Sequence, residues 1–173
     1  MLTLVVARYN EDVSWVNLIP AHVVILNKAQ LGNTGREASS WLWYIAHHRL
    51  RGNYVFCQGD PFAHCPDFDA VVGKRRHYGP RVKCNLRGEP HHPGLEIAGL
   101  VERINAVSLR KLHLPDEIEF TAGAQFMASA EEIHRGLGVG WDVQNLMDLA
   151  NHYPQAPWIF ERLWDYLIPK IKS

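Results

Sequence analysis

The run Leu2-Thr3-Leu4-Val5-Val6-Ala7, broken off at once by Arg8-Tyr9-Asn10-Glu11-Asp12, constrains this chain more than any other feature. A strand with one wet face alternates apolar and polar residues, whereas an uninterrupted β-prone run reads as a strand covered on both faces. Such a strand belongs inside a sheet sandwiched by helices, with its polar residues displaced to its carboxyl end. The signal recurs at 22–26, before Asn27 and Lys28, and at 53–57, before Gln58, Gly59, Asp60 and Pro61. Between the first two runs, Val13 to Leu18 reads as a short helix that stops near Pro20.

From Thr34 the period changes. Ala38, Trp41, Leu42 and Ile45 share one face of a helix, and Thr34 with Glu37 has the spacing of a capping box. Further helices are expected around Ile97–Ile104, after a second capping box at Ser129 and Glu132, around Val143–Ala150, and around Phe160–Leu167 behind Pro157. Residues 73–93 contain glycines, prolines and six basic side chains (Lys74, Arg75, Arg76, Arg81, Lys83, Arg87) against the single acid Glu89, and read as a loop or flap. Ile118 to Thr121 reads as a strand. The expected fold is α/β, a Rossmann-like sandwich with a mostly parallel sheet flanked by helices, formed by residues 1–173 as one domain.

Composition excludes some functions. Lysine and arginine total 18, as do aspartate and glutamate, so no global field draws the chain to nucleic acid, and no nucleic-acid partner is expected. The mean hydropathy of -0.19 and the shortness of the apolar runs predict neither a transmembrane segment nor a leader. Three cysteines, Cys57, Cys65 and Cys84, form no CxxC pair, and a cytoplasmic location is expected. His64 with Cys65, and His91 with His92, match no common zinc spacing.

In open parallel sheets ligands bind beyond the carboxyl ends of the strands. That rule selects Arg8, Asn10, Glu11 and Asp12; Lys28 with Asn33, Gly35, Arg36 and Glu37; and Gln58, Asp60 and His64. The start of a helix offers outward N–H groups, so Asn33, Gly35 and Arg36 are candidates to hold a phosphate. Asp60 is a candidate ligand for Mn2+ or Mg2+ bridging a diphosphate. It lacks the second acid usual at such sites, which leaves the basic stretch 74–87 as an alternative holder of the anion. Gly123, Gln125 and Phe126 suit a sugar hydroxyl and ring, and Glu161, beside an apolar stripe, is a candidate general base. The plainer alternatives are turns, caps and surface carboxylates.

At these segments the chain resembles a family of short domains of fungi, bacteria and large viruses catalogued as a domain of unknown function. The resemblance rests on VVARYNEDVSWV at 5–16, NTGREASSWLWYI at 33–45, VFCQGDPFAHCPD at 55–67, AGAQFMAS at 122–129 and FERLW at 160–164. The polar cluster at a strand end, the later Gly-x-Gln-Phe segment and the terminal Glu-Arg-Leu helix also look like features of glycosyltransferases of the A fold. That resemblance implies transfer of a sugar from a nucleotide-sugar donor to a glycan or small-molecule acceptor. It places Gln58–Asp60 at the donor and metal motif, Ala122–Phe126 on the acceptor side, and Glu161 as base. A non-catalytic carbohydrate- or nucleotide-binding module stays open, as does a metal-dependent hydrolase using Glu11, Asp60 and His64.

Overall fold

The computed structural model describes residues 1–32, 34–87, 92, 94–138 and 141–171. Strand β1 (Leu2–Arg8) lies between β2 (His22–Asn27) and β3 (Asn53–Gln58), parallel to both. Strand β6 (Phe126–Ser129) pairs antiparallel with β3 and completes the order β2-β1-β3-β6. Ala7 pairs with Leu26 on one side and with Gln58 on the other, so the three parallel strands end level with one another.

Successive side chains of a strand point to opposite faces, and each face of this sheet buries its own cluster. Leu4, Val6, Val55 and Cys57 pack on Val16 of a 3₁₀ turn (Ser14–Leu18), on Phe68 and Val71 of the short helix α2 (Phe68–Val71), and on Tyr78. Val5, Ala7, Tyr54 and Phe56 pack under helices α1 (Arg36–His47), α3 (Ile97–Val107), α5 (Trp141–His152) and α6 (Ala156–Leu167). Trp41 of α1 sits where these elements meet, with ring centroids 5.9 Å from Phe56, 5.8 Å from Phe126 and 5.7 Å from Trp164. The expected mixed α/β sandwich with a mostly parallel sheet is therefore present.

Three local expectations are corrected. The stretch 73–93 is not a flap over its described residues. Strand β4 (Arg81–Asn85) pairs antiparallel with β5 (Glu117–Thr121) in a separate two-stranded sheet that lies against α6. Cys84 is buried and Val82 half-buried while Arg81, Lys83 and Asn85 face outward, an alternation too short to stand out among so many charges. The basic side chains are engaged there: Arg81 binds Asp165 and Lys83 binds Glu117 at 2.8 Å. Residues Phe126–Ser129, for which no strand is predicted, form β6.

The third correction concerns the capping boxes. That at Ser129 forms: the Glu132 N–H donates to Ser129 Oγ at 3.1 Å and the Ser129 N–H to Glu132 Oε2 at 2.8 Å, opening α4 (Ala130–Leu137). That at Thr34 does not. Helix α1 begins after Gly35 with no side-chain cap, Thr34 Oγ1 bonds Asn151 Oδ1 at 2.9 Å, and Glu37 is drawn away by a lysine.

Glu132 also anchors the chain's end, since its Oε1 accepts from Arg76 at 3.2 Å and from the Ile171 N–H at 3.1 Å, while Arg76 donates to the Ile168 carbonyl. Burial works against its ionisation, but hydrogen bonds from Ser129 and Ile171 and the Arg76 guanidinium outweigh that and hold its pKa below the usual 4.5. The stability contributed by this carboxylate is complete above pH 4.5, the unfolded value, and is lost as pH falls through the lower folded value. Glu132→Ala removes a cap and leaves Arg76 poorly paired, so urea unfolding should show a loss of about 2–4 kcal/mol at neutral pH. Glu132→Gln should flatten the acid limb of the stability curve.

Candidate functional site

Polar residues that cannot enter the two-faced sheet collect beyond its carboxyl end, and a cleft of about 320 Å³ opens there, between the ends of the strands and the first turns of α1 and α6. Arg36, Gln58, His64 and Glu161, all expected site residues, line it together. His92 and Trp158 complete its polar and aromatic wall.

Glu37, which lines the cleft, is held by a buried cation. Lys28, 4 % exposed at the end of β2, holds Glu37 Oε1 at 2.6 Å and lies 3.8 Å from Glu11 Oε1. Burial raises the Glu11 pKa, but the backbone hydrogen bonds at Tyr9, Glu11 and Asn10 and the Lys28 ammonium more than offset it, leaving a carboxylate more acidic than usual. One lysine thus links the carboxylate just beyond β1 to the first turn of α1.

Gly123 organises the opposite wall. Its N–H donates to Glu161 Oε1 at 2.6 Å and its carbonyl accepts from Gln58 Nε2 at 2.8 Å. At φ +83° it holds a conformation that favours glycine, and a Cβ there would stand 2.6 Å from the His64 ring. Among the described residues the positive-φ residues other than glycine are Arg36, Ala124 and Gln155; the first two line the cleft and the third immediately precedes α6. Strained backbone of this kind concentrates at functional sites.

Trp158 supplies a flat surface beside Arg36, whose Cζ lies 5.6 Å from its ring, and beside His92, at 5.8 Å. Arg162 donates to the Trp158 carbonyl at 2.7 Å and lies 3.4 Å from Glu161 Oε2, fixing the first turn of α6. Trp158 and His92 were not anticipated from the sequence. An aromatic residue off the apolar stripe Phe160, Leu163, Trp164 and Leu167 was the available signal for Trp158.

The remaining expected residues fall elsewhere. Arg8 Nε donates to the Glu11 carbonyl at 2.9 Å, Asn10 is exposed, and Asp12 accepts from the Ser14 N–H at 2.9 Å and hydroxyl at 3.0 Å; these are turn contacts. Gly35 is packed so closely that a Cβ would lie 2.7 Å from the Ala150 carbonyl oxygen, so it serves helix packing. Gln125, fully buried, donates to the Pro61 and Tyr78 carbonyls at 3.1 and 3.0 Å, and Phe126 is a core ring stacked 5.2 Å from Phe56, so the expected ligand contacts of both are replaced by structural ones. Asn33 and His91 lie outside the described residues.

Asp60 is exposed and accepts from the Phe62 N–H at 3.1 Å. Among the described residues no three His, Cys, Asp or Glu side chains come together as ligands, and Glu11, near Gly59, is already countered by Lys28. The side chains around Asp60 do not fit a resident Mn2+ or Mg2+ ion.

Removing the buried lysine exposes two carboxylates to each other. Lys28→Met should lower stability by about 3–5 kcal/mol, and adding Glu37→Gln should restore part of that loss; urea unfolding of the wild type, both single variants and the double variant measures the coupling.

Compared with models of protein families, with curated proteins and with solved structures, the chain matches none of them, so the reading of this cleft rests on its own residues.

Proposed function

We propose that the cleft binds a nucleotide sugar and that the protein transfers the sugar to a hydroxyl of a glycan or small molecule, on a glycosyltransferase-A-like fold in the cytoplasm. The observation that carries this reading is the meeting of Glu161, oriented by the Gly123 N–H, with Arg36, His64 and Trp158 in one cleft. Buried thiols at Cys57, Cys65 and Cys84 support the reducing setting.

The chemistry follows from the residue types. Arg36 has a half-exposed side chain and presents a planar cation suited to bidentate contact with a diphosphate. The Trp158 ring offers a face for a base or a sugar ring. Glu161 takes the proton of the acceptor hydroxyl as that oxygen bonds to the anomeric carbon. In the same step the bond from the anomeric carbon to the diphosphate breaks, its electron pair leaving with the nucleoside diphosphate. Arg36 lies 3.9 Å from Glu37 with its guanidinium still half-exposed in the cleft wall, and it carries most of the charge-assisted binding.

One observation favours the non-catalytic binding module: both Glu161 oxygens already have protein partners, the Gly123 N–H and Arg162. Binding and turnover therefore need separate measurement. Thermal shift and calorimetry with uridine, guanosine and adenosine diphosphate sugars, each with and without Mg2+ or Mn2+, should find a stabilising ligand. Arg36→Gln should weaken it about tenfold or more, through the loss of a charge-assisted contact. Glu161→Gln should bind within about twofold of wild type while transfer slows by ~10²–10⁴-fold. Binding without transfer in the wild type supports the module reading, and the absence of any stabilising nucleotide sugar refutes both.

A further inference from the structure

A second cavity, of about 10 Å³, adjoins the cleft and shares Glu161, Ala124 and Trp164 with it. His77, Thr121 and Asp165 form its far wall. A space of that size holds about one water molecule, and a water there is stable only with two to four polar partners. The Glu161 and Asp165 carboxylates, the His77 imidazole and the Thr121 hydroxyl supply them.

The histidine is held in place. Its Nδ1 lies 3.0 Å from Thr121 Oγ1 and 3.5 Å from Asp165 Oδ1, which leaves Nε2 for another partner. Arg81 fixes both of those groups, donating to Thr121 Oγ1 at 2.9 Å and binding Asp165. Glu161 and Asp165 stand four residues apart on α6 and so on the same side of that helix. The histidine therefore sits in a frame drawn from β4, β5 and α6 and lines the same small cavity as the candidate base.

We infer that His77, oriented by Asp165 and Thr121, is a positioning residue for Glu161 and receives, through one water in this small cavity, the proton that Glu161 takes from the acceptor. The inference rests on the proposed sugar transfer. The proton balance is complete: the acceptor hydroxyl loses a proton to Glu161, Glu161 passes it to the water, and the water releases one of its own to His77 Nε2. The resulting imidazolium faces the Asp165 carboxylate. Burial holds His77 below the ordinary imidazole range, with Arg81 of β4 and the nearby Arg76 adding to that effect and Asp165 of α6 and Glu119 of β5 opposing it. The ring is thus neutral at neutral pH and able to accept.

An NMR titration of the His77 ring, assigned by its absence from H77Q, tests the coupling without any need for activity. Loss of a neighbouring negative charge disfavours the imidazolium, so E161Q should lower the His77 midpoint by roughly half a pH unit or more. In transfer assays H77Q should lower kcat about tenfold or more, leave KM unchanged and shift the acid limb of the pH profile. An unmoved midpoint in E161Q overturns the inference while leaving sugar transfer intact. A shifted midpoint in a protein that binds no nucleotide sugar overturns the proton-holding role together with the proposed function.

Discussion

Burial of β1 on both faces is the constraint from which the rest of the structure follows. Leu4, Val5, Val6 and Ala7 are each 0 % exposed, so no polar side chain has a place among these four residues. Apolar cover must then come from both directions, and it does, from the 3₁₀ turn and α2 on one side and from the larger helices on the other. At roughly 25 cal/mol per Å² of apolar surface removed from water, this double cover is the main favourable contribution to the fold. It also decides where chemistry can occur. Groups that must stay hydrated or paired are pushed past the strand ends, and the cleft forms beyond β3, where Gln58 and His64 meet the first turns of α1 and α6.

Charge is distributed by the same logic. The chain carries equal numbers of acidic and basic side chains, and the structure uses many of them against one another. Arg76 with Glu132 secures the C-terminal segment, Arg81 with Asp165 joins the small sheet to α6, and Lys28 joins β2 to α1. Pairs this well covered are retained because losing one partner leaves a charge stranded, and not because each adds much net stability. Arg36, although 3.9 Å from Glu37, keeps a half-exposed side chain, a strained backbone and a place over Trp158 in the cleft wall. A cation held this way is poised for an anionic ligand.

Glu161 lines both cavities. One oxygen is fixed by a backbone N–H from Gly123 and the other lies near Arg162, so the carboxylate is directed by groups with little freedom of their own. Such rigid support is what a group acting on a substrate atom requires. The aromatic cluster of Trp41, Phe126, Trp164 and Phe160 lies beneath it and transmits the packing of the sheet to the first turns of α6.

Much of this was legible in the sequence, for a physical reason. Buried strands, amphipathic helices and the Ser129 cap are written in local sequence, the rule that ligands gather beyond parallel strand ends selected Arg36, Gln58 and His64, and a place beside an apolar stripe selected Glu161. What the sequence could not show depends on contacts between distant residues. Strand β4 is defined by pairing with β5, Glu37 left its expected cap because Lys28 offered a stronger partner, and Gln125 became a buried clasp for two carbonyls. Trp158, His92, His77 and Asp165 carry no local signature of a shared site. By itself the sequence determined the elements and the edge at which polar residues collect, because these follow from solvation of neighbouring side chains. Only the tertiary structure decided which of those residues meet, because that choice is settled by the competition among partners once the chain has closed.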